Sequence, residues 1–149
     1  MRLTMIHVEH FAYEARIRTP IAVEIPESEK RKEYDEALLV LYSTERADER
    51  DPSGVANLAA GEVRAYLSKI GRKRIVLFPF AFLIARDEKS SSDVAAGMEK
   101  HLLEALGEPE IDVVPFGWYK KFSITSMGHK YSVHATRVLP PGAEIGSPG

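Results

Sequence analysis

The chain has 149 residues, 44% of them hydrophobic and 28% charged, which suits one globular domain with its own core and excludes collagen, coiled-coil and disordered classes. Twenty Lys and Arg against 22 Asp and Glu give a formal charge of -2, so no protein-wide positive field draws it onto nucleic acid, and any such binding has to be local. The absence of cysteine excludes disulfides, thiolate metal sites and a cysteine nucleophile. The longest apolar run, Ile75 to Ala85, is broken by Pro79 and falls far short of the roughly 20 residues of a membrane span. The expectation is a soluble, cytoplasmic protein with no membrane partner.

Leu3 to Val8 reads as a short buried strand, and Ala12 to Arg18 with Ile21 to Ile25 as two alternating arms about a bend at Thr19-Pro20. Glu27 to Glu36 is almost wholly charged and predicts an exposed connector. Ala37 to Ser43 is continuously apolar, as a strand covered on both faces would be, and belongs in the middle of a sheet. Asp51-Pro52 opens a helix carrying Val55, Leu58, Ala59, Val63, Tyr66, Leu67 and Ile70, with Gly71 able to take a left-handed stop. Arg72, Lys73 and Arg74 then complement the helix dipole. A strand from Ile75 to Phe80, a polar break at Arg86 to Ser92, and a helix carrying Val94, Met98, Leu102, Leu103 and Leu106 up to Gly107 repeat the pattern. Strands at Ile111 to Val114, Lys121 to Ser126 and Tyr131 to Leu139 follow. The order predicts an α/β or α+β fold, a mixed β-sheet sandwich with two main helices.

No GxGxxG, GxxxxGK[ST] or GxSxG motif is present, which removes the usual support for dehydrogenase, kinase and serine-hydrolase chemistry. His7 and His10, three apart, point to opposite faces of a strand, so a metal site built from them with His129 and His134 is not expected; His101 belongs on the solvent side of the second helix. Two segments stand out. Phe78-Pro79-Phe80-Ala81-Phe82 ends a buried strand where open α/β sheets place their ligand crevices, and Pro79 breaks the ladder, leaving neighbouring backbone groups to bind a ligand. Pro115-Phe116-Gly117-Trp118-Tyr119-Lys120-Lys121-Phe122 places aromatic rings beside lysines, as a stacked base with a nearby phosphate or carbonyl requires. From Val113 to Ala143 there is no Asp or Glu, so the near-neutral chain hides a basic carboxyl-terminal third.

These segments, with MRLTMIHVEHFAYE at Met1 to Glu14, ALLVLYSTERAD at Ala37 to Asp48, FPFAFL at Phe78 to Leu83 and PFGWYKKFSI before Gly128-His129, resemble the amino-terminal editing domain of archaeal threonyl-tRNA synthetase. The resemblance implies a D-aminoacyl-tRNA deacylase-like fold, a homodimer, no cofactor, and hydrolysis of seryl groups from the 3′ end of mischarged tRNA(Thr) while threonyl groups are spared. It implies an editing domain over residues 1–141, and the tail over 142–149, rich in Gly, Pro and Ser, reads by composition as a flexible linker toward an absent or separate synthetase region. Lys120 matches the pocket lysine of that family and His7 a histidine near the pocket, the two expected catalytic residues. Phe116 and Tyr119 would stack or pack around the terminal adenosine, with Gly117 among the substrate-binding residues, and main-chain groups of Phe80, Ala81 and the strand Val40, Leu41, Tyr42 would lie near the reacting carbonyl. Phe82 stands where the family often has histidine, and the glutamate expected after Gly128-His129 falls at Val133 or His134. Neither Phe82 nor Val133 can act as a base. The resemblance therefore implies that the 2′-hydroxyl of the terminal ribose positions or activates the water. A D-aminoacyl-tRNA deacylase and a non-catalytic tRNA-binding or assembly module are the alternatives.

Overall fold

Residues 1–71, 73–107 and 110–142 are described by a computed structural model of the chain. The predicted strand Leu3 to Val8 and the predicted arm Ala12 to Arg18 are one continuous strand, β1 (Arg2–Arg18). Partners on both sides hold it extended. Strand β3 (Ala37–Ser43) pairs antiparallel with its first half, and β2 (Arg31–Tyr34) with its second. On the other edge β7 (Val133–Arg137) and β6 (Trp118–Ser126) divide its length in the same way. Register shifts at Val8/His10 and Ala15/Ile17 absorb the curvature of so long a strand.

Strand β2 falls in the segment expected to be an exposed connector. Its four residues alternate exposed and half-buried, and inward-facing Tyr34 stacks on Phe11 with 6.1 Å between ring centroids. The preceding Glu27–Glu29 turn is a single 3-10 turn, with Lys30 and Lys32 reaching Glu27 and Glu29 at 2.7 Å. Ile21 to Ile25, the other predicted arm, forms no strand.

Strand β3 is buried at all seven positions and lies at the centre of the order β2-β1-β3-β4-β5, with β4 (Ile75–Pro79) parallel to it and β5 (Ile111–Val113) parallel to β4. Helix α1 (Pro52–Ile70) starts as predicted, with the Asp51 carboxylate accepting from Gly54 N–H at 2.9 Å and Pro52 at the first helical position. Val55, Ala56, Ala59, Ala60, Val63 and Tyr66 are buried, whereas Leu58 faces outward, 45% exposed. Gly71 exits with φ 84° and ψ 159°, outside the left-handed helical region. Arg72 lies outside the described residues. Lys73 and Arg74 serve carboxylates rather than the helix end, with Lys73 3.1 Å from Glu36 and Arg74 3.4 Å from Asp112. Helix α2 (Ser92–Leu106) buries Met98, Leu102 and Leu106 and closes on Gly107, whose φ of 62° is left-handed and whose N–H reaches Leu103 O at 3.1 Å; His101 is half-buried on it.

Both helices cover one face of the sheet, packing on Leu3, Met5, Leu38, Val40, Tyr42, Ile75 and Leu77. The residues of opposite parity, Leu39, Leu41, Val76 and Phe78, join Val8, Phe11 and Tyr13 in a second core. Strand β6 closes over it, since Phe122 meets Phe78 at 5.3 Å although β6 pairs only with β1, so the sheet curls back on itself as a mixed sandwich. The Met1 ammonium, buried completely, lies 2.8 Å from Asp48, 3.0 Å from Glu45 and 2.7 Å from Val138 O, and Arg137 pairs with Glu45 through two nitrogens. No helix among the described residues is long and apolar enough to cross a membrane. The predicted linker, residues 142–149, lies outside the described residues apart from Gly142.

Candidate functional site

Parallel strands β3 and β4 end side by side, and a cavity of about 760 Å³ opens beyond Ser43 and Pro79, the place where an open α/β crevice is expected. One wall is Phe80 to Phe82 and the other is Phe116 to Lys120, so the two segments singled out in the sequence meet in space. Tyr42, Phe80, Ala81, Phe82, Phe116, Gly117, Tyr119 and Lys120 all line it.

The first wall is built differently from the expectation. Pro79 does not leave the Phe80 main chain unpartnered, because Phe80 N–H donates to Tyr42 O at 2.9 Å and Ser43 Oγ–H donates to Phe80 O. Ser43 Oγ also accepts from Leu83 N–H at 3.2 Å, and between these two bonds Ala81 to Leu83 makes one 3-10 turn. Ala81 and Phe82 open that turn, so their amides have no acceptor within it. Phe82 is 67% exposed and meets Phe80 edge to face at 5.4 Å. Val40 and Leu41 do not line the cavity: 1% and 5% exposed, they point into opposite cores, and their backbone is engaged by β1 and β4.

The second wall depends on a close backbone approach. Gly117, at φ 83°, lies so near Ala22 that a Cβ there would come within 2.5 Å of its Cα. Thr19 N–H donates to Gly117 O at 3.2 Å and Val23 N–H to Phe116 O at 3.1 Å, which is what the chain after β1 does in place of a hairpin arm. Trp118 adds a 2.8 Å bond from its ring N–H to Val23 O. Trp118, Lys120 and Phe122 then alternate inward along β6, while Tyr119 is 57% exposed at the mouth.

Lys120 is the centre of the site. Its ammonium donates to Trp118 O at 2.6 Å and sits 5.4 Å over the Phe78 ring. Burial among the aromatic rings, with no carboxylate beside it, pulls its pKa down to about 8. It stays mainly protonated at neutral pH and acts as a donor near the limit of its charge.

His7 is placed elsewhere. It pairs with Leu38, four residues before Tyr42, and shares the helix-covered face with Leu3 and Met5, so it does not line the cavity. Its two nitrogens are both engaged, Nδ1 with His129 Nε2 and Nε2 with Glu36, each at 2.7 Å. Tyr131 N–H donates to His129 Nδ1, which leaves the His129 proton on Nε2 to donate to His7, and the His7 proton on Nε2 to donate to Glu36. The chain ties the β6–β7 connection to β1. Val133 is 57% exposed and His134 stacks on Tyr66 at 5.9 Å, and neither lines the cavity. Among the described residues no cluster of His, Asp and Glu could hold a metal ion.

Ser43, Thr44, Arg86 and Lys89 also line the cavity, and sequence reading missed them. For Ser43 a signal existed: the polar pair Ser43-Thr44 ends a strand buried on both faces, at its carboxyl end. Arg86 and Lys89 read only as a polar break between elements.

The architecture matches two solved structures at low identity: a c-Myc DNA unwinding element binding protein, TM-score 0.62 at 13% identity, covering 93% of this chain and 99% of that one, and a probable eukaryotic D-amino acid tRNA deacylase, TM-score 0.59 at 11% identity, covering 91% and 97%. The fold is therefore D-aminoacyl-tRNA deacylase-like. In sequence, the chain is 38% identical over 146 residues to the threonine-tRNA ligase of Methanopyrus kandleri and 37% identical over 134 residues to that of Methanobrevibacter smithii, covering 97% and 89% of itself. It spans only 23% and 22% of the length of those two relatives. Residues 1–138 match the family described as the archaea-specific editing domain of threonyl-tRNA synthetase. Carrying that match over nearly its whole length, on the fold and around the cavity just described, the chain belongs to the archaea-specific editing domains of threonyl-tRNA synthetase.

Proposed function

We propose that the chain removes L-serine wrongly esterified to tRNA(Thr) and spares L-threonyl-tRNA(Thr). The observation that carries this reading is a cavity in which two aromatic bends enclose Lys120, with neither a carboxylate nor an imidazole in its described lining. Serine lacks one methyl of threonine, a difference worth about 1 to 3 kcal/mol in a binding pocket, so discrimination by binding alone is limited and a second sieve has a physical purpose.

Each wall has a role in this reading. The Ala81 main chain lies beside the ester carbonyl, on a turn clamped by Ser43. Phe116 and Tyr119 pack on the terminal adenosine. The Lys120 ammonium holds the seryl hydroxyl or carbonyl. With neither a carboxylate nor an imidazole in the described lining and Lys120 mainly protonated at neutral pH, the 2′-hydroxyl of the terminal ribose orients the attacking water, and the protein contributes placement and backbone donors. No cofactor enters the scheme. The partners are the tRNA 3′ end, a synthetase region in the same or another chain, and a second copy of this chain, the last tested by whether the mass in solution is twice 16.6 kDa.

Incubation of the purified chain with L-seryl-tRNA(Thr), L-threonyl-tRNA(Thr) and a D-aminoacyl-tRNA tests the reading. Loss of the seryl ester alone supports it; loss of the D-aminoacyl ester alone makes the chain a D-aminoacyl-tRNA deacylase, and stability of all three makes it a binding module. Full turnover of seryl-tRNA ending in 2′-deoxyadenosine would overturn the substrate-assisted step.

A further inference from the structure

The cavity mouth carries a cationic rim that the editing chemistry around Lys120 does not use. Arg86 and Lys89 line the cavity together with Phe82. The backbone fixes Lys89: it forms an antiparallel bridge with Glu45, and Ser90 N–H donates to Thr44 O at 3.1 Å. Its ammonium rests 5.1 Å over the centre of the Phe82 ring, a cation–π contact for a side chain otherwise left 67% exposed. Arg46 holds the turn that carries Arg86, donating to Asp87 O at 2.6 Å.

None of the three cations that line the cavity, Arg86, Lys89 and Lys120, pairs with a carboxylate among the described residues; elsewhere Arg18, Lys73, Arg74 and Arg137 do, and Arg2, Arg64, Lys69 and Lys130 do not. Asp87 and Glu88, between them in sequence, line no part of the cavity. Two cations without acidic partners, held at the mouth of an acid-free cavity, are arranged for an anion at its entrance. We propose that Arg86 and Lys89 form a phosphodiester-binding rim that grips the single-stranded RNA backbone just before the terminal nucleoside, with Phe82 as the positioning residue that holds the Lys89 ammonium in place.

The proposal rests on the editing reading only for the identity of the ligand, a single-stranded RNA 3′ end. It also gives Phe82, which cannot do proton chemistry, a role suited to its ring.

The test is fluorescence anisotropy of a labelled, uncharged single-stranded RNA ending in adenosine, titrated with the whole chain between about 50 and 200 mM salt. Each of Arg86→Ala and Lys89→Ala is expected to lower the slope of log affinity against log salt by about 0.7, the value for one phosphate contact on a single strand. Lys100→Ala removes an equal charge on the exposed side of α2 and is expected to leave the slope unchanged. Phe82→Leu is expected to weaken binding severalfold in the wild-type background and not at all in Lys89→Ala, a coupling that a purely structural role of Phe82 does not produce. Unchanged slopes for both rim variants, a change of equal size in Lys100→Ala, or no RNA binding by the wild type overturns the rim. If the wild type leaves seryl-tRNA(Thr) intact while the rim variants still shift the slope, the editing reading fails and the rim stands.

Discussion

Two side chains of the cavity lining, Ser43 and Lys120, are polar groups in apolar surroundings. Ser43 is 1% exposed and joins Phe80 O to Leu83 N–H, so its hydroxyl sets the shape of the first wall. Ser43→Ala leaves both backbone groups without their partner and is expected to cost about 1 to 3 kcal/mol in a denaturant titration. It should also narrow the preference for seryl over threonyl ester; Ser43→Thr is expected to restore that preference and its isostere Ser43→Val is not. Lys120 presents the opposite case, a charge held where burial disfavours it. Its pKa falls from 10.5 to about 8, so the unfolded chain binds this proton more tightly than the folded one. Folding stability therefore rises with pH between about 8 and 10.5, and Lys120→Met abolishes that rise while raising the unfolding midpoint at neutral pH. The same substitution is expected to lower seryl-ester hydrolysis by about 100-fold, the scale of losing one preorganised donor. The wild-type advantage should shrink as pH rises through about 8 and the ammonium deprotonates. A variant with wild-type rates and the same stability profile would remove Lys120 from the site.

At the scale of elements, the site exists because a segment that failed to become a strand supports one that did. Ile21 to Ile25 alternates well enough to predict a hairpin arm, yet the backbone of residues 19–23 bonds to Phe116 and Gly117 and fixes the second wall. Gly117→Ala adds a Cβ 2.5 Å from Ala22 Cα at a φ of 83°. Strain alone costs about 1 to 3 kcal/mol there, and relief requires residues 19–23 and 116–118 to separate, which moves Lys120. Chemical denaturation and the seryl-ester assay should register the loss together. Wild-type stability in this variant would mean that the approach is not so close. What sequence alone revealed follows from the range of the forces involved. Strand β3 and both helices were legible because burial and capping write themselves into consecutive residues: six apolar positions ahead of Ser43, Asp51-Pro52, Gly107. The continuity of β1 was not legible, since it depends on four partner strands distant in sequence. The charged segment that became β2 hid a single informative residue, Tyr34, whose value lies in stacking on Phe11. In the site, the aromatic bends were legible as local motifs. Arg86, Lys89 and the true place of His7 were not, because a cation's meaning depends on which acids it avoids, and that is a fact of tertiary structure.

For the whole molecule, the central strand makes one folding unit of two cores. Leu38, Val40 and Tyr42 face the helices while Leu39 and Leu41 face the core under β6, so neither side can lose its packing without disturbing the strand that supplies the other. Leu38 and Leu39 are neighbours in sequence, both 0% exposed, and belong to different cores. Each truncation to alanine is expected to cost about 2 to 5 kcal/mol. The chain has one tryptophan, Trp118, which reports from the cavity wall on the β6 side, whereas far-ultraviolet circular dichroism is dominated by α1 and α2 on the other. If the sheet couples the cores, the two signals give the same midpoint in the wild type and in both variants, since unfolding of one unit has a single transition. A Leu38→Ala protein that loses helical signal well before its tryptophan signal changes would show that the helix layer melts independently. The cavity would then rest on the β1, β4 and β6 side alone, and substitutions beneath α1 and α2 would leave the preference for seryl over threonyl ester untouched.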